Sequence, residues 1–220
     1  PQRSGNRGFA NLRADSLDAM SYDVDGTMHS FALTFTVRTA KNGPIAMIRG
    51  KLLDSEFTIV RRSYGAFEWD TESIKLTPAD GFAATLGVRD GRISYYSPGG
   101  RSISTSMEKS DAWYDVTLTH YAARGETLLY VDGERVGSVT ERLQPTAFML
   151  GGTANTDYKD WMIHRSGLNK DEVTALHSGR LLQASLEIYS PLSGEDPIAN
   201  HAQSMSEPRF DSTIVRSWND

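Results

Sequence analysis

Residues 113–137 read WYDVTLTHYAARGETLLYVDGERVG, and this stretch decides the fold class. Its first half alternates, so every second residue from Val116 to His120 lies on one face of a β-strand. A second alternating run ends at Asp132-Gly133, a dipeptide that supplies the positive φ angles of a tight hairpin turn. The stretch therefore predicts antiparallel strands joined by short turns, as in a β-sandwich.

The same alternation recurs along the whole chain. In FALTFTVR, residues 31–38, large apolar residues alternate with small, polar or basic ones, which is typical of a strand with one face in the core. Further strands are predicted at 45–48, 57–59, 67–70, 86–88, 92–96, 148–150, 161–165 and 182–189. In the last of these, Leu186 and Ile188 are expected to face the core. Many short strands punctuated by Gly, Asp and Pro predict an all-β sandwich or jelly roll.

One short helix is expected late in the chain. Asn169 can cap it, and Glu172 stands where a capping box places its carboxylate. Leu168 and Val173 match the hydrophobic staple, and Gly179 is a typical C-terminal stop. Because the helix is short, we expect it to close an edge of the sandwich rather than form a separate domain.

The domain organisation follows from these elements. We predict one sandwich domain over 1–192 and an irregular tail or added edge strand over 193–220, with a strand near Ile214–Val215. The chain opens with PQRSGNRG and has no start Met, so we interpret it as a segment of a larger protein with neighbouring domains.

Composition narrows the classes of partner. Acidic residues number 28 and basic residues 23, and the net charge of −5 lacks the basic footprint of a nucleic-acid binder. This balance also repels sulfated or uronate polymers at long range, although a local basic patch can override the repulsion. The absence of cysteine excludes disulfides, thiolate metal sites and cysteine catalysis. No apolar run approaches transmembrane length, so no membrane insertion is expected.

The order of motifs resembles a known family. The segments are FALTFTVRT, RDGRISYY, WYDVTLTHY, TLLYVDGERVGS, FMLGG, DWMIHRS and GLNKDEVTALHSG. Together they resemble the bacterial laminin G-like domains of the concanavalin A-like lectin/glucanase superfamily, over roughly residues 31–179. The resemblance implies an antiparallel jelly-roll sandwich that binds an oligo- or polysaccharide. It also implies a bacterial exported protein, extracellular, on the cell surface or periplasmic.

Enzymatic members of this superfamily make a search for catalytic motifs necessary. Jelly-roll glucanases carry two acids on one strand as E-x-D-x-x-E, and this string is absent. The nearest acid pairs, Glu68/Asp70 and Asp111/Asp115, have ordinary spacing. Alginate lyase patterns, paired zinc-binding histidines and a G-x-S-x-G elbow are absent too. The sequence therefore favours a non-catalytic domain.

Calcium is a further implication of the resemblance. Many relatives bind one structural calcium ion between an S-G-N loop near the start and the Asp that opens the strand before the late helix. The corresponding residues here are Asn6 and Asp160, with Asp157 and backbone carbonyls as further oxygen ligands. Gln2-Arg3 replaces the acidic residue that usually precedes the loop, which places a cation where a ligand is expected.

A sugar-binding face needs aromatic rings flanked by polar side chains. Tyr95 and Tyr96 are adjacent in a strand, so one of them must leave the core. The predicted ligand-binding residues are Arg61, Arg62, Tyr64, Trp69 and Tyr96. The leading hypothesis is a lectin-like, carbohydrate-binding module of an exported polysaccharide-acting protein. The alternatives are a glycoside hydrolase or polysaccharide lyase with dispersed acid and base residues, and a structural or protein-interaction spacer.

Overall fold

Two antiparallel sheets form the molecule in a computed structural model that describes residues 11–53, 57–61, 70–74, 82–211 and 214–217. The larger sheet has eight strands: β1 (Asn11–Ala14), β3 (Phe31–Arg38), β10 (Trp113–Tyr121), β11 (Glu126–Val131), β12 (Glu134–Thr140), β14 (Asp157–His164), β15 (Leu186–Ser190) and β17 (Ile214–Ser217). The smaller sheet has seven: β2 (Met20–Asp23), β4 (Gly43–Leu52), β7 (Phe82–Arg89), β8 (Arg92–Tyr96), β9 (Ser102–Ser106), β13 (Leu143–Leu150) and β16 (Arg209–Phe210). A separate hairpin pairs β5 (Phe57–Arg61) with β6 (Asp70–Ile74), and α1 spans Lys170–His177.

The strand order explains which segments meet. The larger sheet runs β12-β11-β10-β3-β14-β1-β17, and β15 pairs with β14 beyond the end of β1. The smaller sheet runs β16-β2-β13-β4-β7-β8-β9. The predicted all-β antiparallel sandwich with one short helix is therefore confirmed for the described part of the chain. There, no helix has the length and apolar character needed to cross a bilayer.

Alternating side chains from both sheets build the core. Phe31, Leu33, Phe35 and Val37 of β3 are buried between the sheets, as the sequence predicts. His120 lies on the same face of β10 as Val116 and is fully buried, with its ring stacked on Phe31 at 5.3 Å between centroids. Burial of these apolar side chains is the main force that holds the two sheets together.

The helix has the predicted local signals and packs against the larger sheet. Asn169 and Glu172 form the capping box, and Gly179 takes a φ of +88° at the C-terminal end. Val173 and Leu176 are buried in a second apolar cluster on the outer face of the larger sheet, with members from β3, β11 and β14. The helix contacts the edge strand β12, as expected of an element that closes an edge, and it also covers part of the outer face of the sheet. Outward-facing Ala32, Leu128, Tyr130 and Met162 are apolar, so this face of the sheet needs a cover.

The strand before the tail is shorter than predicted. β15 begins at Leu186, and the residues from 182 to 185 are not part of it. Ile188 lies in the sandwich core, whereas Leu186 joins the second cluster under α1. A register shift between Ile163 and His164 in the β14–β15 pairing separates the two positions. Simple alternation cannot anticipate such a bulge, because it inserts one extra residue.

The segment after residue 192 contributes to both sheets. β16 pairs with β2, and β17 pairs with β1 from Asn11↔Ser217 to Ala14↔Ile214. Leu192 is fully buried, and its carbonyl accepts a hydrogen bond from the Leu12 N–H at 3.0 Å. The division of the chain at residue 192 stays a prediction.

Candidate ligand-binding site

A row of polar and aromatic side chains crosses the outer face of the larger sheet at the end away from the buried part of α1. Its members are Arg13, Asp157, Arg38 and Trp113, on β1, β14, β3 and β10. The register pairs Arg13 with Asp157, Asp157 with Arg38, and Arg38 with Trp113. All four face outward because the residues that alternate with them are buried in the core. We call this set the Trp113 row.

The two arginines of the Trp113 row share one carboxylate. Arg13 Nε lies 3.0 Å from Asp157 Oδ1, and Arg38 Nη2 lies 2.7 Å from Asp157 Oδ2. The Asp157 side chain is only 3% exposed, whereas the arginines keep 29% and 22% of their side-chain surface in solvent. Charge-assisted hydrogen bonds of this kind fix the orientation of a guanidinium group. The row therefore presents two ordered cations to solvent.

Two cations, Arg38 and Lys159, lie against the ring of Trp113. The guanidinium carbon of Arg38 lies 5.0 Å from the ring centroid, and the ammonium nitrogen of Lys159 lies 4.4 Å from it. Each contact is worth about 0.5–1 kcal/mol at an exposed position. The indole itself is half-buried. The arrangement holds an aromatic ring at the surface among hydrogen-bond donors.

A cluster of two carboxylates and one imidazole lies beside the Trp113 row. Asp115 follows Trp113 by two residues on the same face, Asp132 sits in the turn after β11, and His177 ends α1. Their potential ligand atoms all lie within 4.8 Å of one another. His177 Nδ1 is 2.6 Å from Asp115 Oδ2, and the Asp115 N–H donates to Asp132 Oδ1 at 2.8 Å. The Thr36 hydroxyl also donates to Asp115.

Turn geometry brings these groups together. Asp132 and Gly133 have φ values of +51° and +78°, as the Asp-Gly pair predicts. A Cβ at Gly133 would lie 3.2 Å from the His177 ring, so glycine leaves room for the end of the helix. Burial raises the pKa of Asp132 above its usual value.

Asp115, Asp132 and His177 could hold a metal ion. One imidazole nitrogen with two carboxylates suits zinc or another transition metal better than calcium, which prefers oxygen ligands. The same contacts also have a structural role, because a histidine in the last turn of a helix interacts favourably with the helix dipole. Sequence spacing gave no sign of this cluster, since its members lie on three separate elements.

The predicted calcium ligands are placed as follows. Asn6 lies outside the described residues. Asp157 gives both carboxylate oxygens to the arginines of the Trp113 row. Asp160 is 4% exposed, has a φ of +54° at the irregularity within β14, and accepts a hydrogen bond from the Tyr189 hydroxyl at 3.3 Å. The calcium site stays a prediction.

The predicted sugar-binding residues lie on other parts of the chain. Arg61 ends β5, where its backbone pairs with that of Asp70. Arg62, Tyr64 and Trp69 lie outside the described residues. Tyr96 is 36% exposed, while neighbouring Tyr95 is fully buried, which confirms that the two tyrosines point to opposite sides. Tyr96 therefore lies on the outer face of the smaller sheet, on the far side of the sandwich from Trp113.

Comparison with known proteins supports the fold. No family model matches the chain, and no curated protein matches it. A heptameric SAP-like pentraxin from Limulus polyphemus has a TM-score of 0.52 at 10% identity, over 99% of this chain and 93% of that chain. A Bacteroides ovatus protein described as a candidate carbohydrate-binding protein has a TM-score of 0.59 at 12% identity, over 97% of this chain and 59% of that chain.

A third similar structure is the CBM40 domain of the Ruminococcus gnavus IT-sialidase bound to α2,3-sialyllactose. Its TM-score is 0.44 at 10% identity, over 78% of this chain and 97% of that chain. At such identities, the likeness to the pentraxin and the Bacteroides ovatus protein shows the fold alone. That fold is a jelly-roll, concanavalin A-like sandwich, as the sequence predicts.

Proposed function

We propose that this chain is a carbohydrate-binding domain and that the Trp113 row is its binding surface. One observation carries the proposal: a half-buried indole lies at the surface with two cations, Arg38 and Lys159, held against its ring. The apolar C–H face of a pyranose stacks on an aromatic ring, and its hydroxyl groups need fixed hydrogen-bond partners around that ring. The Trp113 row supplies both kinds of contact.

The similarity in fold supports the class of function. The Bacteroides ovatus protein, described as a candidate carbohydrate-binding protein, has the same sandwich architecture. This chain spans 59% of the length of the Bacteroides ovatus protein. We propose that this domain shares the carbohydrate-binding role. We further propose that the domain is laminin G-like and non-catalytic. Its parent is then an exported bacterial polysaccharide-acting protein, extracellular, cell-surface or periplasmic, with further domains.

Glycan binding by matched variants tests the proposal. We expect isothermal titration against glycans selected on an array to show binding that Trp113→Ala weakens by at least about tenfold, the loss of roughly 1.4 kcal/mol. Tyr96→Ala, on the opposite face, is the matched control and should bind as the unmodified protein does. The melting temperature of each variant shows whether it is folded.

The opposite pattern of binding would place the site on the other face of the sandwich. If Tyr96→Ala loses binding and Trp113→Ala keeps it, the ligand lies on the face predicted from Arg61, Arg62, Tyr64, Trp69 and Tyr96. If the unmodified protein binds no plant, algal or host glycan, with or without calcium, the carbohydrate-binding proposal is wrong. A structural or protein-interaction spacer is then the better interpretation.

Glycoside hydrolysis is the second candidate function, and one observation favours it. Asp115 and Asp132 bring carboxylate atoms within 4.8 Å of each other beside Trp113, and retaining hydrolases place their two carboxyl groups about 5–5.5 Å apart. The raised pKa of Asp132, caused first by burial, suits a proton donor. Release of reducing ends from a polysaccharide panel, lost in Asp115→Asn, would establish hydrolysis. Our leading proposal expects no release.

A structural calcium ion is also part of the proposal, through the family resemblance. Asp160 is its main ligand, because both carboxylate oxygens of Asp157 already bind arginines. Calcium should raise the melting temperature of the unmodified protein, and Asp160→Asn should remove the rise. An equal melting temperature in calcium and in EDTA would contradict the site.

A further inference from the structure

The Trp113 row is positively charged in a protein of negative net charge. Arg13 and Arg38 share one carboxylate, Asp157, and Lys159 adds a positive charge over the Trp113 ring, while the carboxylates of Asp115 and Asp132 lie beside the row. The whole chain has a net charge of −5, which repels anions at a distance. The row is therefore a local basic patch of the kind that can override this repulsion at short range.

Hydrogen-bond donors remain unused on this patch. Arg13 binds Asp157 through Nε and Asn155 through Nη1, and Arg38 binds Asp157 through Nε and Nη2. Among the described residues, Arg13 Nη2, Arg38 Nη1 and Trp113 Nε1 have no hydrogen-bond partner. These atoms can only donate. A ligand group that only accepts, such as a carboxylate or sulfate, fits such a set best.

The donors are also ordered before a ligand arrives. Asp157 is held almost completely out of solvent, and it fixes both guanidinium groups through bonds of 3.0 and 2.7 Å. Arg38 is additionally held against the Trp113 ring. A free arginine loses rotamer freedom when a ligand immobilises it, and a side chain that is already fixed largely avoids this cost.

We infer that the Trp113 row recognises an anionic saccharide, whose sugar ring stacks on Trp113 while its carboxylate or sulfate accepts hydrogen bonds from Arg13 and Arg38. This inference rests on the proposed carbohydrate-binding function and adds the charge of the ligand to it. A charge-assisted hydrogen bond is about twice as strong as a neutral one, so the acidic group is a main source of affinity. The Lys159 ammonium nitrogen, 4.4 Å from the centroid of the Trp113 ring, adds a third positive charge.

Paired ligands that differ only in charge test the inference. We would measure the affinity of the full chain for oligogalacturonate and for its neutral methyl ester, for sialyllactose and lactose, and for a sulfated oligosaccharide and its desulfated form. At least one acidic ligand should bind about tenfold or more tightly than its neutral partner, the gain expected from one charge-assisted hydrogen bond. The three pairs distinguish carboxylate from sulfate.

Charge-removing variants locate the effect. Arg13→Gln and Lys159→Gln should each reduce the ratio of acidic to neutral affinity to below about threefold, since each removes one positive charge from the patch. Arg89→Gln removes a charge from an arginine that is 75% exposed on the smaller sheet, and it should leave the ratio unchanged. The preference should also weaken as salt is raised from about 0.05 to 0.5 M, because salt screens exposed charges.

Each other outcome has a defined meaning. Equal affinity for acidic and neutral partners, with binding that still depends on Trp113, would overturn the inference and leave the proposed function intact. An acidic preference that survives both Arg13→Gln and Lys159→Gln would also overturn it, since the anion would then bind elsewhere. If the protein binds none of the six ligands and no glycan on the array, the proposed function itself is wrong.

Discussion

His177 Nδ1 lies 2.6 Å from Asp115 Oδ2, and this contact ties the last residue of α1 to the strand that carries Trp113. The helix covers the apolar part of the sheet's outer face, and its end borders the polar part. The contact therefore lies between two parts of the outer face of the larger sheet: the part that α1 covers and the part that is exposed to solvent.

Removal of this contact should cost little stability. His177→Ala loses a pair whose side chains are 43% and 20% exposed, so we expect a loss of about 0.5–1 kcal/mol in the free energy of unfolding. Urea denaturation measures this loss. His29→Ala, at an exposed position outside the helices and strands, is the control and should change almost nothing. A loss above about 3 kcal/mol would mean that the cluster has a larger role in folding than an exposed pair explains.

Acid should destabilise the protein before its carboxylates titrate. Burial lowers the pKa of His120 to about 4, whereas an unfolded histidine titrates near about 6.5. The unfolded state therefore binds the proton first, and the stability present above pH 6.5 is lost as pH falls toward 4. We expect a loss of about 2 kcal/mol between pH 7 and pH 5 from His120 alone. Burial lowers the pKa of His164 in the same direction.

Hydrogen bonds identify the neutral form of His120. The Leu143 N–H donates to Nε2 at 3.2 Å, so Nδ1 carries the proton and donates to the Thr127 hydroxyl at 2.9 Å. His120→Gln keeps one donor and one acceptor, so its stability should vary less between pH 7 and pH 5. Imidazole NMR titration provides an independent measurement, and a His120 midpoint above pH 6 would contradict this account.

Asp157→Asn separates the ion-pair role of this residue from its predicted calcium role. The substitution removes the negative charge that holds Arg13 and Arg38, and we expect a loss of about 2 kcal/mol in the free energy of unfolding, below the cost for a fully buried pair. The loss should be the same in calcium and in EDTA. A loss that appears only in calcium would instead show that Asp157 is a metal ligand.

Two glycines should respond very differently to alanine. A Cβ at Gly50 would lie 2.2 Å from the backbone carbonyl oxygen of Gln144, so β4 and β13 would have to separate. Gly50→Ala should therefore destabilise the protein by more than about 3 kcal/mol. At Gly99 the nearest atom is 3.7 Å from the added Cβ, so Gly99→Ala is the matched control. Similar melting temperatures for the two variants would contradict the close approach of the strands.

Local sequence signals were sufficient for much of the fold. The strand Phe31–Arg38, the turn at Asp132-Gly133 and the capping box of α1 are all observed as predicted. Each depends on residues close together in the chain, so pattern and turn chemistry determine it. The cover that α1 gives the outer face and the outward direction of Leu186 depend on sheet packing and a bulge, which a local pattern does not encode.

The Trp113 row shows why the candidate site escaped the sequence. Arg13 and Asp157 are 144 residues apart, and Arg38 and Asp157 are 119 apart. Alternation alone places Arg38 and Trp113 on the outer faces of their strands. Only the strand order of the larger sheet makes them neighbours, and no short motif reports that order.

The pairing of β1 with β17 has a mechanical consequence. Asn11 lies opposite Ser217, so the outer ends of the two strands are side by side. Tension applied at Asn11 and Ser217 would pull the two strands apart sideways. Their hydrogen bonds would then break one pair at a time, beginning at the Asn11–Ser217 pair. Under load, this seam would peel open before the interior of the sandwich is strained.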